Sequence, residues 1–341
     1  MTTGVKMRYI EDDLKDKTIL ITGGAGFIGS NLAFYFQENH PDAKVVVLDS
    51  FRSGETLSNG NLKSFGHFKN LVGFCGEIIS GDINDKDLLL DLEVNYDFDY
   101  IFHEAAISDT TAQEQGLMIK TNVNAYKDLL DLAIAHNANM IYASSAATYG
   151  NAESPQHVGR EEPNNVYGFS KLSMDHLSRE YMKECDINIV GLRYFNVYGA
   201  REYFKNTTAS MVLQFGHQIL AGKNPKLFEG SDNILRDFIY IEDIIQANIK
   251  AMMPNTSGIY NVGTGKARSF QDIVDILQKE LGTSLECEYI PNPFIGSYQF
   301  HTEADIETTK ETLDYEPRFE MEEGIKAYVS EIKRIYETEV K

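Results

Sequence analysis

Thr18-Ile19-Leu20-Ile21-Thr22-Gly23-Gly24-Ala25-Gly26-Phe27-Ile28-Gly29 is a short β-branched run that enters three glycines spaced three apart. It leaves them as a helix-compatible segment, Ser30 through Asn39. Each glycine has its own task. Gly23 lets the chain leave a strand in a tight turn, Gly26 lets backbone amides approach a pyrophosphate, and Gly29 lets a helix pack closely on the sheet. The helix N-terminus then offers unpaired N–H groups and a positive dipole end to phosphates. Three spaced glycines alone are weak evidence; the strand before and the helix after give them weight. Val45-Val46-Val47-Leu48 reads as a second buried strand, closed by Asp49 twenty residues after Gly29. A ribose-binding carboxylate belongs there in a dinucleotide fold.

Outward from this core, strands and helices alternate. Further strands are expected at Ile78–Asp82, Tyr100–Ala106, Met140–Ala143 and Ile187–Leu192, with helices at Asp85–Leu92, Leu117–His136 and Tyr167–Cys185. That alternation predicts an α/β fold with a doubly wound parallel sheet and right-handed crossovers. Met1–Asp16 reads as a polar lead-in, and Phe51–Gly76, rich in Gly, Ser and Asn, as a long irregular insertion. An insertion of that length inside a domain is usually functional or mobile. After Arg193 the pattern turns mixed. Ala209–Leu220 reads as a helix, while Phe238–Ile241 and Ile259–Val262 read as strands. A capping-box helix is expected from Ser269 to Leu281, stopped by Gly282, and a last helix over Glu320–Glu337. This describes a dinucleotide-binding Rossmann domain over 17–195, with 233–264, and a smaller mixed α/β substrate domain over 196–232 and 265–341.

The 341 residues suit one large or two fused domains. A net charge of −20 argues against DNA or RNA as partner, since that binding rests on clustered Lys and Arg. Cys75, Cys185 and Cys287 are odd in number and far apart, so neither a disulfide framework nor a zinc site is expected. No apolar run approaches a membrane span and the N-terminus lacks a signal-peptide core. A soluble, cytoplasmic protein is the expectation. His103-Glu104 begins like a metalloprotease HExxH, but Ile107 stands where the second histidine belongs, so no metal is expected.

Tyr167 and Lys171 lie four apart on one helix face. A phenol with pKa ~10 is a poor base at neutral pH. A neighbouring ammonium favours the phenolate, and the lysine can also hold a cofactor ribose. Ser145, at the end of the fifth strand, can hydrogen-bond the oxygen being oxidised; Ser144 or Thr148 are the other candidates for that contact.

These residues resemble the extended short-chain dehydrogenase/reductase superfamily: the glycine turn, Ser145, Tyr167-Gly168-Phe169-Ser170-Lys171, and Arg236-Asp237-Phe238. Within it, the chain is most similar to the ADP-glyceromanno-heptose 6-epimerase family. That likeness is carried by His103-Glu104-Ala105-Ala106 with Ser108, by Ser144–Gly150, Asn165–Lys171, Arg193–Gly199 with Arg201-Glu202, and Pro225–Ser231, and most specifically by Phe228–Ser231 followed by Arg236-Asp237-Phe238. The resemblance implies an isomerase of lipopolysaccharide core biosynthesis. Tightly held NADP or NAD would oxidise C6 of an ADP-heptose and reduce it again on the other face. Acid–base groups on both faces would be Tyr167 and Lys205; read from the residues alone, Lys205 is a lysine in a polar loop.

Further positions follow from the resemblance. Phe27 and Ile28 would meet the pyrophosphate, Asp49, Ser50 and Arg52 the ribose end, and Lys86 the adenine end. Glu104, Ala105, Ala106 and Ser108 would line the cofactor, with Asn122, Lys171 and Val197. The sugar nucleotide would be held by Asn196, Phe228, Glu229, Gly230, Ser231, Arg236 and Tyr298. Thr207 and Gln214 stand where the family has a serine and a histidine. Asp49 favours a free 2′-hydroxyl and Arg52 a 2′-phosphate, leaving NAD and NADP both open. The family implies a homo-oligomer, often a pentamer. The runner-up is a UDP-hexose 4-epimerase, which shares Ser, Tyr and Lys. A dehydratase is disfavoured, since dehydratases carry an acidic pair after a threonine equivalent to Ala146 and this chain has Ala146-Ala147. A non-catalytic nucleotide-sensing scaffold is the reading from another class.

Overall fold

The run that opens the glycine turn forms strand β1 (Thr18–Thr22), and the valine run forms β2 (Lys44–Asp49). The computed structural model describes residues 8–292 and 300–341. The two strands pair in parallel, with Ile19 opposite Val45 and Thr22 opposite Leu48. Strands β3 (Glu77–Ser80), β4 (Tyr100–His103), β5 (Asn139–Ser145) and β6 (Ile189–Tyr194) follow. Three short strands come next, β7 (Asn196–Tyr198), β8 (Lys226–Phe228) and β9 (Leu235–Tyr240), before β10 (Gly258–Val262). The main sheet has seven strands, all parallel, in the order β10-β6-β5-β4-β1-β2-β3.

Helices cover both faces, and the strand period of two divides the core accordingly. Ile19, Ile21, Val45 and Val47 belong to one apolar cluster, while Leu20, Val46 and Leu48 belong to the other. The first face receives α1 (Phe27–Asn39). The second receives α2 (Lys86–Asn95), α4 (Ala125–Ala135) and α5 (Val166–Tyr181), with the short α3 (Gln115–Met118) leading into α4. Helix α6 (Met211–Leu220) packs in the smaller lobe, and α7 (Ile241–Lys250) returns against α1.

The smaller lobe builds on a three-stranded sheet, β7-β9-β11, where β11 is Ala267–Ser269, and on the pair β8 with β12 (Glu288–Ile290). Its helices are α8 (Phe270–Leu281), α9 (Glu307–Leu313) and α10 (Met321–Ile335). Ser269 and Asp272 form the expected capping box on α8, and Gly282 ends it in the left-handed region.

Three features depart from the sequence reading. Residues 8–17, before β1, are no surface lead-in: Tyr9, Ile10 and Leu14 are buried, and the Tyr9 ring stacks on Tyr35 at 5.5 Å. The Leu117–His136 helix is interrupted by a π-turn over Ile119–Asn124, a device that often marks functional positions. Helix α7 was not foreseen, because it leaves β9 at Ile241 with no turn residue between them.

Candidate active site

The C-terminal ends of the parallel strands open onto a cavity of about 600 Å³, where the open edge of such a sheet binds its ligands. Its floor is the glycine turn. A Cβ on Gly23 would lie 2.6 Å from the Ala105 amide nitrogen, and one on Gly29 only 2.4 Å from the Gly23 carbonyl oxygen. Both positions are thus closed to any side chain, and the backbone of α1's first turn reaches the cavity wall through Phe27 and Ile28. No side chain caps α1, whose N-cap is Gly26, so its leading amides face the cavity uncontested.

Asp49 ends β2 at the same wall. Its carboxylate accepts from the Ala25 amide (3.0 Å) and the Phe51 amide (2.8 Å), which fixes it beside the turn. Burial pushes its pKa up, against those two bonds. Ser50, Glu104, Ala105, Ala106, Ser108 and Val197 also line the cavity. The Ser144 hydroxyl, near the end of β5, is buried there without a hydrogen-bond partner among the described residues. An unpaired donor lining the same cavity as a side-chain-free phosphate turn fits a nicotinamide dinucleotide.

Tyr167 and Lys171 come from the first turns of α5, which starts where the Asn165 side chain accepts from the Gly168 amide. Both line the cavity, as does Ser145. The Lys171 ammonium is buried and donates to the Ala143 carbonyl at 2.6 Å, with its Nζ 5.9 Å from the Tyr167 ring centre. Burial takes its pKa down to about 8, opposed by the Glu104 and Asp175 carboxylates. The phenol differs from the sequence reading. Burial raises the Tyr167 pKa, a hydrogen bond with Ser145 lowers it, and the Glu104 charge raises it again. With its pKa raised, the phenol rests in its protonated form.

Lys205 lines the same cavity from the 3₁₀ segment Tyr203–Thr208, so one space gathers it with Tyr167. Its amine stands 5.6 Å from the Phe27 ring centre. Burial lowers its pKa, and the buried Glu202 carboxylate, three residues earlier, raises it. Asn196 and Arg236 complete the far end.

Other expected residues lie outside the cavity. Arg52 donates to the Phe204 carbonyl oxygen, and Lys86 pairs with Asp128 at 3.1 Å on the surface. Asn122, in the π-turn, is fully buried. Its side chain accepts from the Ile107 amide (2.9 Å) and donates to the Ile107 carbonyl and Ser170 hydroxyl, clamping the loop after β4 to α5. Thr207 donates to Asn61, and Gln214 to the Ala209 carbonyl. Phe228 closes β8, with Glu229 and Gly230 exposed beyond it; the Ser231 hydroxyl is buried without a partner among the described residues. Tyr298 lies outside the described residues. His67, whose ring lies against Phe204, was not foreseen; only its position inside the long insertion marked it.

A doubly wound sheet, a glycine turn shaped for a pyrophosphate, and a Ser-Tyr-Lys group at the strand ends define a nicotinamide-dependent enzyme of the short-chain dehydrogenase type. A family model, the NAD dependent epimerase/dehydratase family, matches residues 19–263, and the chain belongs to that family. Among solved structures, the chain is similar to Helicobacter pylori ADP-L-glycero-D-manno-heptose-6-epimerase, at 55% identity and a TM-score of 0.88. That match covers 96% of this chain and 99% of the other. The Thermotoga maritima UDP-glucose 4-epimerase is 28% identical, with a TM-score of 0.81 over 93% of this chain and 99% of that one. The Bacillus cereus UDP-glucuronic acid 4-epimerase, solved with UDP-glucuronic acid and NAD, is 27% identical, with a TM-score of 0.79 over 94% and 100%.

Proposed function

We propose that this protein converts ADP-D-glycero-D-manno-heptose to ADP-L-glycero-D-manno-heptose by transient oxidation and re-reduction at C6, within lipopolysaccharide core heptose supply. The observation that carries this reading is Lys205, a second proton-transferring side chain in the cavity that holds Tyr167 and the glycine turn. The near full-length likeness to a heptose 6-epimerase supports the sugar.

The glycine turn and α1 would hold the pyrophosphate, Asp49 the adenosine ribose, and Lys171 the nicotinamide ribose. When bound, the nicotinamide supplies a reversible two-electron acceptor. The chain's own residues do the rest. Tyr167, steadied by Ser145, removes or returns the hydroxyl proton at C6 on one face, and Lys205 does so on the other. Burial suits the lysine's role, since it depresses the amine toward a usable base, whereas it raises the pKa of the Tyr167 phenol and keeps it a proton donor at rest. Arg236, a planar fork of donors, is suited to the substrate diphosphate. Asp49 at the cavity wall, with Arg52 engaged at Phe204, favours NAD over NADP. The nucleotide lobe would comprise 17–195 with 233–264, and the sugar lobe 196–232 with 265–341. The same reading implies a cytoplasmic homo-oligomer; no helix among the described residues is long and apolar enough to cross a membrane.

Incubation with ADP-D-glycero-D-manno-heptose, followed by NMR, should show the 6-epimer accumulating. Tyr167→Phe should keep the dinucleotide and lose turnover by about 10²–10⁴-fold. Inertness toward the heptose with turnover of UDP-galactose would instead identify a 4-epimerase.

A further inference from the structure

The long insertion between β2 and β3 does not stand apart from the site. Its residues Lys63–Gly66 line the cavity beside Asp49, and the Arg52 amide donates to the Gly66 carbonyl at 2.8 Å, closing residues 52–66 into a loop. The loop is fastened to the glycine turn, because the His67 amide and the Asn70 side chain both donate to the Ala25 carbonyl, at 3.0 and 3.1 Å. From this anchored base three contacts reach across to the segment that carries Lys205. The Arg52 guanidinium donates to the Phe204 carbonyl oxygen. The His67 ring lies flat on the Phe204 ring, with centroids 3.7 Å apart and planes within 7°. The Thr207 hydroxyl donates to the Asn61 side chain at 2.9 Å.

These contacts bracket Lys205 on both sides, at Phe204 and Thr207. The backbone they hold is one the chain would not choose. Asn206 sits at φ 53°, ψ −123°, a conformation that disfavours any residue with a Cβ and persists only where the surroundings impose it. The amine so placed lies over the Phe27 ring, on the first residue of α1. Turn, insertion and lysine segment therefore form one closed circuit of contacts.

We propose that Arg52 and His67 are positioning residues for Lys205, seating Phe204 so that the amine faces the cavity floor. The inference rests on Lys205 being the second acid–base. It gives the insertion a task, and it ties the geometry of that group to the same stretch of chain that shapes the adenosine end of the site. A displacement of order 1 Å in such a group can cost about 100-fold in rate.

The test compares full-length Arg52→Met, His67→Leu, His67→Phe and Lys205→Met with the parent protein. Amide hydrogen exchange is measured over residues 201–210 and over the glycine turn, alongside kcat and KM for the ADP-heptose. In Arg52→Met and His67→Leu, exchange over 201–210 should rise about tenfold or more with the turn unchanged. Turnover in the same variants should fall about 10–100-fold with KM moved less than about threefold. His67→Phe, which keeps a flat ring on Phe204, should restore both. Unchanged exchange over 201–210 would overturn the inference, and so would loosened exchange with undiminished kcat while Lys205→Met is dead. A fully active Lys205→Met would instead overturn the acid–base reading itself, so the two failures are told apart.

Discussion

Glu104 follows directly on β4, with its carboxylate accepting from the Tyr194 hydroxyl at 2.9 Å at the cavity wall. Burial raises its pKa to about 7 from an ordinary 4.5, opposed by Tyr194 and by the Lys171 charge. A carboxyl raised on folding favours the protonated native state. Its stabilising contribution is fully present below about pH 4.5 and is lost as pH rises through about 7. Lys171, depressed to about 8, acts in a higher window. Glu104→Gln removes the titration. Between pH 5 and 8 the cofactor-free parent should lose about 1–2 kcal/mol of stability relative to this variant, read as a fall of the parent's melting temperature relative to the variant's. At this scale the sequence was partly legible. Spacing alone placed Tyr167 and Lys171 on one face. Lys205 had only a family likeness behind it, and the His67–Phe204 stack had no signal, because it depends on where two loops far apart in the chain happen to run.

Among the elements, β9 shows how a buried charge can fasten a lobe. Asp237 is fully buried and accepts four hydrogen bonds, from the Thr264 amide (2.8 Å) and hydroxyl (2.7 Å), the Gly265 amide (2.9 Å) and the Ala304 amide (3.1 Å). It ties β9 to two other segments, the turn at Thr264–Gly265 and the chain at Ala304. Asp237→Ala would strand those donors away from water, and should cost about 3–5 kcal/mol in urea unfolding. Helix and strand identities were legible where the apolar period was clean, as in β1, β2 and α8. Strands β7, β8, β11 and β12 have three residues each, too few for a period to show. Their pairing is set by neighbours brought in from elsewhere in the chain.

For the molecule as a whole, the surplus of carboxylates sets a self-repulsion spread over the surface, at a net charge of −20. Screening should relieve it. Raising NaCl from about 20 to about 300 mM should lift the melting temperature by about 2–4 °C, which differential scanning calorimetry would register. The parallel, doubly wound class was legible from strand–helix alternation, because crossover connections leave few other arrangements. The order of strands was not. Strand β10 takes its place beside β6, with Tyr260 opposite Leu192, only after the chain has passed through β7, β8 and β9. During synthesis, then, six strands can assemble while the open flank of β6 waits for a partner not yet translated. Until Val262 clears the ribosome that flank is a bare template for unwanted pairing, and the nascent protein is exposed to aggregation throughout that interval.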